Sequence, residues 1–278
     1  MTIFSPADHT FWEEHGYVIA HQVIPPENLS AVIAAMWEFL EMDPHNPDDW
    51  YTLPGWHFTS GMVELYHHQS MWDNRQHPRL HQAFAEIFGT EKLWVSLDRV
   101  NMNPPARPGW DYQGFIHWDI DPTVWPIPLG VQGVLCLADT SLEQGGFQCI
   151  PGSHHHVSEI VARQAPDRNP RLPDISGMTV KPIPAEAGDL VIWHKGLLHG
   201  NSRNNTDRPR LAQYITMSPA QPENETLRQR RIELWQKRLP PDNKRAFPGD
   251  PRKLEETHGQ PAALTDLGKK LLGLEGWA

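Results

Sequence analysis

Cysteine is nearly absent from this sequence: of 278 residues, only Cys136 and Cys149 carry a thiol. A disulfide-stapled secreted scaffold is therefore not expected. Both residues sit in apolar, strand-like stretches, where buried free thiols in a reducing cytosol are the expected state. Positive charge is also short. Lys and Arg number 24 against 34 Asp and Glu, a formal net charge of −10 with histidines neutral. That argues against nucleic acid or an anionic membrane as partner, because both are bound by clustered Lys and Arg. No apolar run approaches membrane-spanning length. Met1 to Tyr17 carries Asp8, Glu13 and Glu14 and lacks the apolar core of a signal peptide. There is no internal repeat and no low-complexity segment. The expectation is a cytoplasmic globular protein that acts on a small molecule.

What is abundant is proline, at 27, together with 12 Trp and 16 His. Prolines spread along a chain predict short elements and many loops. Leu29, Val32, Ile33, Met36, Phe39 and Leu40 recur at three- and four-residue intervals, which predicts one buried helical face. A second helix is expected over Pro78 to Phe88, stopped by Gly89, and residues 43 to 60 read as loop. From Leu93 to Met217 the pattern changes to strands: Leu93–Asn103, Gly114–Trp118, Val131–Ala138, Gly146–Ile150, Met178–Ile183, Asp189–Trp193 and Arg210–Met217. In the first of these, alternation places Leu97, Arg99 and Asn101 on one face. Helices are expected again near Leu227–Leu239 and Leu264–Leu272. The whole reads as mainly β with flanking helices, an antiparallel sandwich or jelly roll. It is expected to form a single domain over 1–278, with a helical part at 1–92, a strand core at 93–218 and a helical tail at 219–278.

His117-Trp118-Asp119 is the one His-x-Asp in the chain. On an extended segment, residues two apart share a side, so an imidazole and a carboxylate can converge on one ion. With 16 histidines, about one such triplet arises by chance, so it needs support. The support comes from Gly188–Gly200, an apolar strand ending in a turn that bears His199, with Arg210 at the start of the next strand. Two His and one carboxylate on one face of a metal leave positions open, as suits non-haem Fe(II) that must accept a chelating substrate and O2. An Arg on the neighbouring strand supplies a bidentate partner for the far carboxylate of a 2-oxo diacid. Arg208 competes for that role, but Pro209 and the strand start favour Arg210.

On Phe11–Val18, His117–Asp119, Gly145–His154, Gly188-Asp189, His199-Gly200 and Arg210, the chain resembles the phytanoyl-CoA dioxygenase family of iron(II)/2-oxoglutarate oxygenases. The resemblance runs from about residue 10 to about 218, with a family-like tail at Leu264–Gly268. It implies a double-stranded β-helix, the cupin-like jelly roll. It also implies Fe(II), 2-oxoglutarate and O2 as cofactor and co-substrates, iron ligands at His117, Asp119 and His199, and a 2-oxoglutarate anchor at Arg210. One departure is that Asn201 stands where members often have Ser against the co-substrate. Related halogenases lack the carboxylate that Asp119 provides, so hydroxylation or desaturation is the expected outcome.

Further candidates carry duller readings beside them. Asn101 and Gln132 are candidate co-substrate contacts and Arg99 a candidate substrate contact, with structural hydrogen bonding as the equal alternative. Trp110, Tyr112, Trp118 and Trp125 surround the His-x-Asp motif as candidate substrate contacts, and half of them are expected to be core. His154, His155 and His156 follow a Pro-Gly-Ser turn and read as a loop rather than a second metal site. Two other classes compete with the oxygenase. One is a cupin-like metal isomerase or hydrolase, which would leave Arg210 without a task. The other is a non-catalytic jelly-roll binding module.

Overall fold

In the computed structural model, residues 2–52, 61–124 and 126–277 are described. The chain opens with α1 (Pro6–His15), capped by a reciprocal box. Ser5 Oγ accepts from the Asp8 N–H, and the Asp8 carboxylate accepts from the Ser5 N–H at 2.8 Å. Such a cap contributes about 1 kcal/mol. After β1 (Tyr17–Ala20) comes α2 (Pro26–Leu40), which buries Leu29, Val32, Met36, Phe39 and Leu40 as their spacing predicts. β2 (Met62–Val63), α3 (Gln69–Arg75) and α4 (Pro78–Phe88) follow, and Gly89 ends α4 in a left-handed conformation. Within the predicted loop at 43–60, residues 53–60 lie outside the described residues; the rest holds one tight helical turn at Asp49–Tyr51.

The strand region holds β3 (Leu93–Val95), β4 (Val100–Asn103), β5 (Val131–Cys136), β6 (Phe147–Cys149), α5 (Val157–Ala162), β7 (Lys181–Pro182), β8 (Leu190–His194), β9 (His199–Asn201), β10 (Arg210–Tyr214) and β11 (Met217–Pro219). Six strands form one antiparallel sheet in the order β1-β8-β5-β10-β4-β2. A smaller sheet, β7-β6-β9, is extended by bridges from Gly114 to Ser202 and from His117 to His199. Non-sequential neighbours in both sheets make this a jelly roll. Between the layers lie Tyr17, Val134, Val191 and Ala212 from the larger sheet and Phe147 from the smaller. The alternate residues of the large sheet, among them Val18, Leu135, Ile192 and Leu211, face the main core with α2, α3, α4 and the tail helices. Cys136 and Cys149 are free and buried, and burial pushes their thiols up to about 11 and about 12.

The tail comprises α6 (Glu225–Lys237), α7 (Leu254–Thr257) and α8 (Asp266–Leu272). Arg231 on α6 ties it down by donating to the Val95, Leu271 and Leu272 carbonyls at 2.7, 3.0 and 3.1 Å. Among the described residues, no helix is long and apolar enough to cross a membrane.

Four strand expectations need correction, among them Arg210–Met217, which is two strands: β10 in the large sheet and β11 paired with β3. Leu93–Asn103 is two strands with different partners, β3 on β11 and β4 on β10, because residues 96–99 leave the ladder. The bend rotates the face, so Leu97 enters the main core while Asn101 turns inward between the sheets. Gly114–Trp118 pairs only at isolated bridges, and Met178–Ile183 shrinks to Lys181–Pro182.

Candidate metal centre and co-substrate pocket

His117 and His199 lie directly opposite each other on adjacent extended segments. The His117 N–H donates to the His199 carbonyl at 2.9 Å, and the return bond is 3.2 Å. Opposed residues in an antiparallel pair share a face, and the two imidazole centroids stand 4.8 Å apart. Asp119, two residues on, returns to that face. Its carboxylate oxygens lie 3.3 Å from His117 Nε2 and 3.2 Å from His199 Nε2. One donor atom from each residue fits within a 4.8 Å span, the one such group of three metal-binding side chains among the described residues. The strands approach so closely that a Cβ at Gly200 would sit 1.9 Å from the Phe115 carbonyl oxygen. Only glycine fits beside the His199 ligand.

Neighbours fix the orientation of these donors. The Leu197 carbonyl lies 2.9 Å from His199 Nδ1, which must carry the proton there, leaving the Nε2 lone pair for a metal. Gln132 Nε2 donates to Asp119 Oδ2 at 2.7 Å, while its own oxygen accepts from Trp193 Nε1 at 3.2 Å. Burial would raise the Asp119 carboxyl, but the close approach of the His117 and His199 rings outweighs it and holds the group far below the usual carboxylate range. It is an anion ready to ligate.

The triad opens on a cavity of about 450 Å³ whose wall includes Tyr112, Phe115, Trp193, Asn201 and Tyr214, a size suited to a metabolite. One hydrogen bond beyond that wall lies Arg210. Its Nη1 donates to Asn101 Oδ1 at 2.8 Å and reaches Tyr214 Oη at 3.4 Å. Asn201 Nδ2 donates to the same Tyr214 oxygen at 2.9 Å. Arg210 is only 1% exposed. Among the described residues no carboxylate pairs with it, and its Nε has no acceptor. An unpaired buried guanidinium is costly unless an anion arrives to meet it.

Other sequence candidates separate. Arg99 lines the cavity, paired with Glu64 and covered by the Phe247 ring at 4.5 Å. Tyr112 lines it as well, with its hydroxyl pushed up by burial. Trp118 does not. It is fully buried in the cluster beneath the loop, its Nε1 donating to the Gly196 carbonyl at 2.8 Å. The residue between two ligands on an extended segment must face the other way. Trp110 packs on Tyr51, outside the cavity wall, and Trp125 lies outside the described residues. Arg208 is exposed, with its carbonyl accepting from Asn204. Of the three clustered histidines, His155 bonds the Glu13 carbonyl at 2.8 Å and His156 reaches Glu159 at 3.2 Å. His154 is held neutral, down to about 4, by burial and its histidine neighbours. Sequence reasoning passed over Tyr214, although it shares the Arg210 face of one strand at a spacing of four. It also passed over Asp98 and Phe247, which nothing in the local pattern joins to the motif.

Comparison with known proteins agrees with this fold. The structure resembles the Escherichia coli protein JW0805 with a TM-score of 0.71 at 17% identity, covering 97% of this chain and 82% of that one. It also resembles the epimerase SnoN, solved with Fe3+, alpha-ketoglutarate and nogalamycin RO, with a TM-score of 0.54 at 17% identity over 77% and 83% of the two chains. A Dictyostelium discoideum phytanoyl-CoA dioxygenase-like protein is 22% identical over 274 residues, 80% of this chain and 78% of its own. The phytanoyl-CoA dioxygenase (PhyH) family model matches residues 12–212, well over half the chain, and the protein belongs to that family.

Proposed function

We propose that this protein is an iron(II)- and 2-oxoglutarate-dependent oxygenase that hydroxylates or desaturates a small to medium-sized metabolite, with succinate and CO2 as co-products. Iron(II), 2-oxoglutarate and O2 are the cofactor and co-substrates of its family. The observation that carries the reading is the convergence of His117, Asp119 and His199 on one point of the cavity wall. Two imidazoles and a carboxylate on one face form the donor set that suits non-haem iron and leaves room for exchangeable ligands.

The residues fit the absent groups. His117, Asp119 and His199 would hold the metal, which when bound supplies the redox chemistry that couples oxygen to substrate oxidation. Gln132 steadies Asp119, and the Leu197 carbonyl keeps the His199 ring in the coordinating tautomer. Arg210 would meet the distal carboxylate of 2-oxoglutarate, with Asn101, Tyr214 and Asn201 fixing that end by hydrogen bonds. The aromatic wall of Phe115, Phe147, Trp193 and Tyr214 limits water around the reacting groups. The Asp119 carboxylate favours oxygenation over halogenation. The fold itself also serves an epimerase, SnoN, so the pose of the bound substrate selects the product. The metal isomerase or hydrolase alternative leaves the buried charge of Arg210 unused.

The test is anaerobic titration of the purified protein with Fe(II) and 2-oxoglutarate. A weak visible charge-transfer band is expected, followed by slow succinate release when air is admitted. Confirmed iron occupancy with neither band nor succinate would overturn the reading.

A further inference from the structure

The charged groups of the cavity are unequal in their freedom. Arg99, its inner cation, is committed: Nη1 pairs with Glu64, itself 1% exposed, and the Phe247 ring covers the guanidinium at 4.5 Å. Glu64 is further engaged by the Tyr66 hydroxyl and by the Gly249 N–H at 3.0 Å. An incoming anion would have to displace a buried carboxylate to reach Arg99. Asp98, beside it on the same wall, is in the opposite condition. Its carboxylate accepts one bond, from the Arg99 N–H at 2.8 Å, and among the described residues no side chain donates to it or forms an ion pair with it. Arg75, the other cation nearby, donates to the carbonyls of Tyr66 and Asp98 rather than to a carboxylate. Arg171, the remaining cation of the wall, stands exposed.

Resting on the oxygenase reading above, we propose that the substrate of this site is a protonated amine, held with its ammonium against Asp98. The surrounding wall suits that charge. Phe115, Phe147, Trp193 and Phe247 line the same cavity, and ring faces attract a cation that a carboxylate has already drawn in. Burial is the largest influence on Asp98 and lifts its carboxyl to about 6 against the opposing pull of Arg99 and Arg75, neither of which forms an ion pair with it, so it is charged where the amine is charged. Phe247 arrives from the tail, past residue 212 where the family match ends, so this wall belongs to the chain's own substrate choice.

The experiment uses the anaerobic holoprotein with Fe(II) and 2-oxoglutarate and three probes of one skeleton: tryptamine, N-acetyltryptamine and indole-3-propionate. Calorimetry reads binding directly. Tryptamine is expected to bind at least about tenfold more tightly than the neutral amide or the acid, as a desolvated charge pair implies. Asp98→Asn should bring tryptamine and N-acetyltryptamine within about twofold of each other. Should that variant not fold, the order of the three probes on the unaltered protein decides alone. Tighter binding of the acid, an unchanged preference in Asp98→Asn, or binding of none of the probes would overturn the amine assignment. The Fe(II)–2-oxoglutarate band, recorded before each titration, separates the two readings. Its absence removes both, while its presence with the wrong probe order removes only this one.

Discussion

The two ends of the site are built on opposite principles. At the metal end, the His117 and Asp119 side chains are 20% and 48% exposed, and backbone pairing of two strands sets their positions. At the arginine end, Arg210 is 1% exposed and is set by side-chain bonds to Asn101 and Tyr214. A donor set with two of its three side chains open to water, and only His199 buried, can exchange what it holds at little cost. A dry cation gains from one kind of partner only, a suitably placed anion. On the proposed function, the metal end would serve turnover and the arginine end selection.

Breaking the metal end should have the largest effect. His199→Ala removes one of three donors and the buried end of the strand pair, so nearly all iron binding is expected to vanish, read as metal content after dialysis. Full occupancy in that variant would refute the assignment of His199. Breaking the other end should leave iron in place. Arg210→Ala is expected to cost about 2–5 kcal/mol of 2-oxoglutarate binding, roughly 30- to 5,000-fold in Kd, with Arg208→Ala nearly silent. Titration of the visible band checks both, and equal effects from the two arginines would show that no single one anchors the diacid. Between the ends, Gln132→Leu should weaken metal affinity by about 10- to 100-fold without altering Arg210. An unchanged iron Kd would mean that Asp119 needs no steadying.

The smallest expected effect separates acid damage to the fold from acid loss of metal. Burial is the main cause that depresses His67 to about 3, even though its Nε2 bonds the Leu239 carbonyl at 2.8 Å. The unfolded chain takes up that proton below about 6.5, whereas the folded one refuses it. Stability is therefore complete above about 6.5 and drains away as pH falls toward about 3. His67→Gln should flatten this part of the melting-temperature profile, by roughly 2–4 °C for each kcal/mol regained. If the two profiles run parallel, acid sensitivity lies elsewhere.

The metal end was the more legible of the two in sequence, because His-x-Asp on an extended segment and a His in a turn after an apolar strand state their geometry locally. Arg210 stands out in sequence by its place at the strand start, yet its acceptors, Asn101 on β4 and Tyr214 on its own strand, reach it only through the sheet register. Gln132 reads in sequence as a co-substrate contact; in the fold it lines the cavity with its amide bonded to Asp119. Trp118 was misjudged although its position between two ligands already turned it away from them. The bend at residues 96–99 has no signature in the alternation it interrupts. α3 escaped notice because its seven residues bury Asn74 and Arg75 beside Met71 and Trp72, a mixture that no apolar period describes. Phe247 comes from a distant Pro-rich stretch, and only the folded tail brings it to the cavity.

The two cysteines acquire a different meaning beside an oxygen-using iron site. Peroxide and related by-products attack the thiolate, and burial lifts the Cys136 and Cys149 thiols to about 11 and about 12, so both stay protonated at neutral pH. Both stand between the sheets, Cys149 directly opposite His199 in the strand register, yet sealed from solvent. Such a chain should survive its own idle cycles in air with its thiol count intact. An engineered surface cysteine would then be the sole reactive one, giving a clean attachment point for a spectroscopic label.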